Sequence, residues 1–324
     1  MKRVKLGLMS LVVVLVVSVM IIVISEKESF AVSKGKNWVV WKDRWNLYLW
    51  DGRSTHKLSG RIIDRSFDIN NKGWVAWGSC LWNGKSISNS GANAESSLQL
   101  NDSGWMVWQK FLGYDIYLWN GKFVRKLASD SNNPQINNNG WVVWQKGYMK
   151  GVYLYDTKTI RKLAKNAGKP QISNSGWVVW EGENDDIYLW DRKSIRNLTK
   201  NSKKFHMEPQ INDNGWVVWH GGDGISLWDG KSTRKLANYT FLFNPPQINN
   251  NGWVVWGDYD GAYLWDRKST RQISNKRAIY CDINDNGWVV WQHSEKGDYP
   301  GELYLWDGKP VRKLGEGSRP KIAK

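Results

Sequence analysis

Cysteine is nearly absent: Cys80 and Cys281 are the only two in 324 residues. Two thiols cannot staple a chain of this size, so its stability must come from packing, and a metal thiolate site is excluded. Histidine is scarce as well. His56, His206, His220 and His293 fall at places that do not correspond, and no HExxH, phosphate-cradling glycine loop or G-x-S-x-G elbow occurs. Negative charge is short too, with 30 Asp and Glu against 46 Lys and Arg, a formal net charge of +16. Such a surface favours anionic partners. The sole long uncharged run, Leu6–Ser25, follows the basic stretch MKRVK. Residues 1–31 therefore read as a signal peptide or an N-terminal membrane anchor. Ser29-Phe30-Ala31 looks like a small-x-small cleavage site, while about 20 apolar residues would also span a bilayer core of ~30 Å. Either fate places the remainder outside the cytoplasm, where it keeps about +14 once four cations and two anions leave with the segment.

What is abundant is Trp, with 24 copies, and nearly all of them sit in a repeat. A WVVW-type core begins at Trp38, Trp74, Trp105, Trp141, Trp177, Trp216, Trp253 and Trp288, at spacings of 31 to 39 residues. Ahead of it stands a short strand such as PQI and an Asx-x-Gly turn. After it come a variable loop, a run such as IYLW, a DGKS-type turn and a run such as TRKL. The turn residue two before each Gly (Asn71, Asp102, Asn138, Asn174, Asp213, Asn250, Asp285) is expected to cap its own backbone, with Gly supplying φ > 0. WVVW is apolar throughout, which for a strand means burial on both faces. Four strands per unit, each unit needing a neighbour on both sides, predict an all-β fold, an eight-bladed β-propeller of four-stranded antiparallel blades. Residues 32–324 form that single domain. The first unit lacks its PQI strand, and Pro320-Lys321-Ile322 supplies an extra copy at the other end, so the C-terminal strand is expected to complete the first blade.

The phrases PQINNNGWVVW, IYLW and DGKSTRKL resemble the WD40-like repeats of TolB-type propellers. The resemblance runs over residues 34–324 and implies the propeller fold; it implies no activity. In TolB itself it implies six blades behind an N-terminal α/β domain, whereas eight units are present here. Propellers of this kind also precede peptidase domains in the prolyl-oligopeptidase family, but the missing elbow argues against that activity.

Alternating strand directions put the Asx-x-Gly and DGKS turns on one face of the disc and the variable loops on the other. The variable face carries Trp45, Phe111, Tyr114, Tyr148, Phe205, Tyr239, Phe241, Phe243, Tyr259 and Tyr299. Rigid scaffolds present recognition on loops, so Trp45, Tyr114, Tyr148, Tyr239, Phe241, Phe243, Tyr259 and Tyr299 are the candidate partner-binding residues. Cations concentrate in the TRKL runs, for example Arg125, Arg161 and Arg234, where they protect exposed strand edges. The middle residues of the PQI strands should ring a central channel, with Lys321 between Asp68 and Asp282. The reading is thus an exported, non-catalytic monomer that binds a protein or an anionic envelope polymer or glycan. Nucleic acid is not an expected partner, and the membrane enters only through the N-terminal segment. No cofactor or metal is expected; acidic loops such as EGENDD lack a repeated ligand spacing. The alternative is an enzyme acting on polysaccharide or peptide at the channel mouth, which a cluster of acidic and His residues there would favour.

Overall fold

A computed structural model describes residues 37–59, 66–91, 94–200, 202–238, 242–295 and 300–324, so the N-terminal segment, Tyr239, Phe241 and Tyr299 lie outside the described residues. Regular structure among them is strand throughout, apart from one 3-10 turn at Glu183–Asp185. The fourth unit shows the pattern. Ser131–Ile136, Val142–Lys146, Gly151–Tyr155 and Ile160–Lys165 pair antiparallel in chain order. Six sheets of four strands repeat this arrangement. The seventh sheet has seven strands, because one 11-residue strand, Arg312–Ile322, serves two units. Its first half pairs with Gly301–Trp306, and its second half pairs with Val39–Asp43 through Lys42↔Ser318, Val40↔Lys321 and Val39↔Ile322.

The all-apolar WVVW strand follows from the stacking of sheets. Val142 packs with Val107, Ile116 and Leu118 of the preceding unit, while Val143 packs with Val178 and Trp180 of the following one. Two adjacent valines thus face two different interfaces, so neither position tolerates a polar residue. In six units the closing Trp of WVVW stacks on the Tyr opposite it in the next strand, as Trp144 on Tyr153 (centroids 6.0 Å apart) and Trp180 on Tyr188 (6.2 Å). These Trp are core residues, at most 2% exposed. The opening Trp plays another part. A Cβ added to Gly104 would lie 2.8 Å from the Trp74 ring, and one added to Gly176 would lie 2.9 Å from Trp141, so each indole fills the space left by the next unit's Gly.

The Asx turn departs from expectation by one residue. The cap is the residue three before the Gly: Asn70 Oδ1 accepts the N–H groups of Lys72 (3.0 Å) and Trp74 (2.9 Å), while its Nδ2 donates to Asn101 O of the next unit (2.9 Å). The residue two before the Gly bridges units instead. Asn71 N donates to Asp102 Oδ1 (2.8 Å), Asp102 N to Asn138 Oδ1 (2.9 Å) and Asn138 N to Asn174 Oδ1 (2.8 Å), and the belt continues through Asp213 and Asn250 to Asp285. Asp102 and Asp213 each accept amide hydrogens from an Asn on both sides. That requirement explains why no two acidic residues are neighbours in the belt.

The outer strands are exposed, as edge protection requires, but their arginines also clamp one unit to the next. Arg234 pairs with Asp229 of its own turn (3.2 Å) and stacks over Trp265 of the following sheet (5.7 Å). Arg161 over Trp190 (4.8 Å), Arg125 over Tyr155 (5.1 Å) and Arg312 over Trp50 (5.0 Å) repeat the contact, each worth about 0.5–1 kcal/mol at an exposed site.

Candidate functional site

Among the described residues, seven of the thirteen large apolar side chains that the fold leaves exposed lie on the variable loops. Trp45 lies at the hairpin tip between Val39–Asp43 and Asn46–Trp50; Phe111, Leu112 and Tyr114 lie at the tip after Met106–Lys110; Tyr148 follows Val142–Lys146. Leu112 is 78% exposed and Tyr148 89%. The tips are tight turns, with Arg44 at φ 46° and Tyr114 at φ 48°. Two candidate residues are brought together: Phe243 meets Tyr259 edge-on at 4.7 Å, and the Arg277 guanidinium lies 4.2 Å from the Phe243 ring and 5.2 Å from that of Tyr259. Trp45, Tyr114 and Tyr148 stand on separate loops.

A second feature is a cavity of about 480 Å³ lined by residues of all eight inner strands. One arc of its wall carries Gln99, Gln135, Gln171, Gln210 and Gln247, and the rest carries Asp282, Lys321 and Asp68. Lys321 Nζ lies 2.8 Å from Asp68 Oδ1, whose other oxygen accepts Leu100 N (2.8 Å). Asp282 Oδ2 accepts Ile322 N (3.1 Å). Burial pushes the Asp282 carboxyl up, opposed by Lys324, by the Ile322 and Ile283 N–H groups and by Lys321.

A third feature escaped the sequence. Lys169 Nζ lies 3.3 Å from Glu181 Oε1 and 3.4 Å from Glu208 Oε1, and His220 Nε2 lies 3.2 Å from Glu208 Oε2. Burial pushes the Glu181 carboxyl up, whereas the hydrogen bond to His220 holds Glu208 down. Burial would lower the Lys169 ammonium, but Glu181 and Glu208 outweigh it and raise it. Lys169 and Glu208 each precede a PQI proline and take positive φ (46° and 54°) at a β-bulge. That backbone turns two residues of an otherwise alternating strand toward their neighbours, and no sequence period announces it. His220, scattered in sequence, therefore belongs to a cluster of charged groups drawn from two units.

No family model matches the sequence, and no curated protein matches it. Solved structures do. The β-propeller domain of the Trilobed protease from Pyrococcus furiosus, described as having an open velcro topology, is 13% identical; the match covers 88% of this chain and 96% of that one, with a TM-score of 0.50. A chain of the mitotic checkpoint complex is also 13% identical, covering 68% of this chain and 78% of that one (TM-score 0.50). A puromycin-hydrolyzing peptidase of Mycobacterium tuberculosis is 11% identical, covering 89% of this chain and 54% of that one (TM-score 0.52). These likenesses show the fold: the chain is an all-β protein of propeller type, built of WD40-like four-stranded repeats. The peptidase corrects one expectation, that the protein is not an enzyme. A peptidase shares this fold over 54% of its own length, and a fold of this kind does not by itself decide for or against catalysis. Neither the fold nor the missing elbow supports a non-catalytic reading.

Proposed function

We propose that residues 32–324 close into an eight-bladed propeller of TolB-like repeats, that residues 1–31 export it or tether it to a membrane, and that it acts as a binding module for a protein partner. The surface proposed is the variable-loop face. One observation carries this reading: Trp45, Phe111, Leu112, Tyr114, Tyr148 and Tyr259 are all exposed on those loops, where aromatic side chains are the usual anchors of specific interfaces. The other face offers a belt of mutually satisfied Asx residues, which has few free groups to spend on a partner. Propeller neighbours that include a chain of a multi-protein complex support a protein ligand over an envelope polymer.

The test is binding of a partner captured by the full-length chain to the variants Trp45→Ala, Tyr148→Ala and Tyr259→Ala. A true anchor should cost about 2 kcal/mol or more. Undiminished binding by the triple variant removes the loop face as the site. A second reading, chemistry on a polysaccharide or peptide, is favoured by the contacts among Lys169, Glu181, Glu208 and His220, none of which lines the cavity. Loss of turnover in Glu181→Gln, without loss of partner binding, would separate the two.

A further inference from the structure

The cavity wall contains polar groups that the fold does not use. Among the described residues no hydrogen bond engages the side-chain amides of Gln99, Gln135, Gln171 and Gln210, which come from four consecutive units and line the cavity. Their neighbours show that this is not a general feature of the position. Gln247 donates to Pro245 O (3.2 Å), Lys321 is paired with Asp68, and Asp282 accepts Ile322 N. Half-buried amides are ordinarily satisfied by protein or by water, and an arc of four facing one shared space can take its partners together from a ligand that displaces that water.

The chemistry of the arc restricts the occupant. A primary amide offers two donors and one acceptor oxygen without charge, so it matches hydroxyl groups, which both donate and accept. A carboxylate ligand would leave the amide oxygens unmatched, and the wall, with Asp68 and Asp282 beside Arg319, Lys321 and Lys324, carries charges of both signs and selects neither. An ammonium ligand would leave the amide N–H groups unmatched. Between the amides the wall presents Ile136, Ile172 and Ile211, and Tyr280 lines the same space with the Arg319 guanidinium 5.4 Å from its ring. Alternating apolar and amide strips suit a molecule with C–H faces and a hydroxylated rim. The volume of about 480 Å³ is that of a small-molecule site.

We propose that this cavity binds a small neutral saccharide, whose hydroxyls satisfy the four open amides. The site is distinct from the loop face, and its failure would leave the loop-face reading untouched because different residues and a different ligand are assayed. The experiment is titration calorimetry on the full-length chain with glucose, N-acetylglucosamine, maltose and cellobiose, beside glucuronate, glucosamine and trialanine amide. At least one neutral sugar should bind, with glucuronate and glucosamine about tenfold weaker or worse, and the Gln135→Leu/Gln171→Leu variant should lose about tenfold in affinity while its melting temperature holds. If that variant does not fold, Gln135→Glu/Gln171→Glu keeps shape and polarity but removes the amide donors, and should lose affinity likewise. Absence of binding by every neutral sugar overturns the proposal. So does equal or tighter binding of a charged congener or the peptide, or wild-type affinity in the folded Gln variants.

Discussion

The space that a side chain at Gly215 would need is already filled by the indole of Trp177 from the preceding unit, and the backbone there has φ +79°. Two demands therefore fall on one residue. Gly230, in a DGKS turn, has φ +93° but nothing within 4 Å of its missing Cβ. The pair separates conformational strain from steric exclusion. Gly230→Ala should cost about 1–2 kcal/mol, the penalty of a left-handed L-residue. Gly215→Ala adds displacement of a packed ring and should cost about 3 kcal/mol or more. Equal losses for the two, measured by urea denaturation, would show that the indole moves aside freely. The same turn position in other units carries Arg192 (φ 76°) and Arg267 (φ 77°), whose guanidinium groups stack over Trp141 (5.4 Å) and Trp216 (5.1 Å). Stacking offsets strain there. The need for φ > 0 was legible in each Asx-x-Gly phrase, but the partner that forbids a side chain sits some 40 residues upstream and carries no local signal.

Among the elements, the turn between third and outer strands recurs uniformly and carries a series of depressed carboxyls. Asp229 Oδ1 accepts Lys231 N (3.0 Å) and Ser232 N (2.9 Å), and Asp156, Asp191 and Asp266 repeat the motif. The backbone N–H donors hold these four carboxyls below their ordinary range. Asp51 is the same case: burial works against ionisation, yet Ser54 N, His56 and Arg53 N bring it to about 2. A folded pKa below the unfolded value of about 3.9 means that the unfolded chain binds more protons in acid. The stability these carboxylates confer is therefore present above about pH 4 and is lost as the pH falls toward about 2. Units two and three supply the control, since Asn83 and Asn120 accept the same backbone donors without a charge. Asp229→Asn/Asp266→Asn should flatten part of the acid loss while changing stability at pH 7 by about 1 kcal/mol or less, the worth of the exposed Arg234 and Arg271 pairs it removes. An undiminished acid loss would mean that other carboxylates dominate. This turn could be read from DGKS alone. The Asx belt could not, because its hydrogen bonds run between residues 31 to 39 apart, and only sheet stacking decides which Asn faces its own turn and which faces its neighbour.

For the molecule as a whole, the double use of Arg312–Ile322 is decisive. Deleting residues 318–324 removes the pairing with Val39–Asp43, the Ala323 N–H donated to Trp38 O (2.9 Å) and the Lys321–Asp68 ion pair together. Melting should fall by many degrees, since unpaired backbone and two apolar sheet faces lose their cover; an unchanged melting curve would show that this seam contributes nothing. The repeat, its strand count and the spare C-terminal strand were legible because each rests on a local period. The Lys169, Glu181, Glu208 and His220 set was not, since bulges place its members and its residues come from different units. The loop aromatics could be assigned to one face from strand direction, but how far each is exposed there depends on turn geometry that the sequence does not give. The direct measurement is photo-cross-linking of the full-length chain in the cells that make it, with a benzophenone side chain at Trp45, Tyr148 or Tyr259 on the loop face and at Phe123, Ile195 or Val311 beside the opposite turns. The account predicts covalent capture of one and the same protein from the loop-face positions and none from the turn positions. Capture from Phe123, Ile195 or Val311 alone would contradict it.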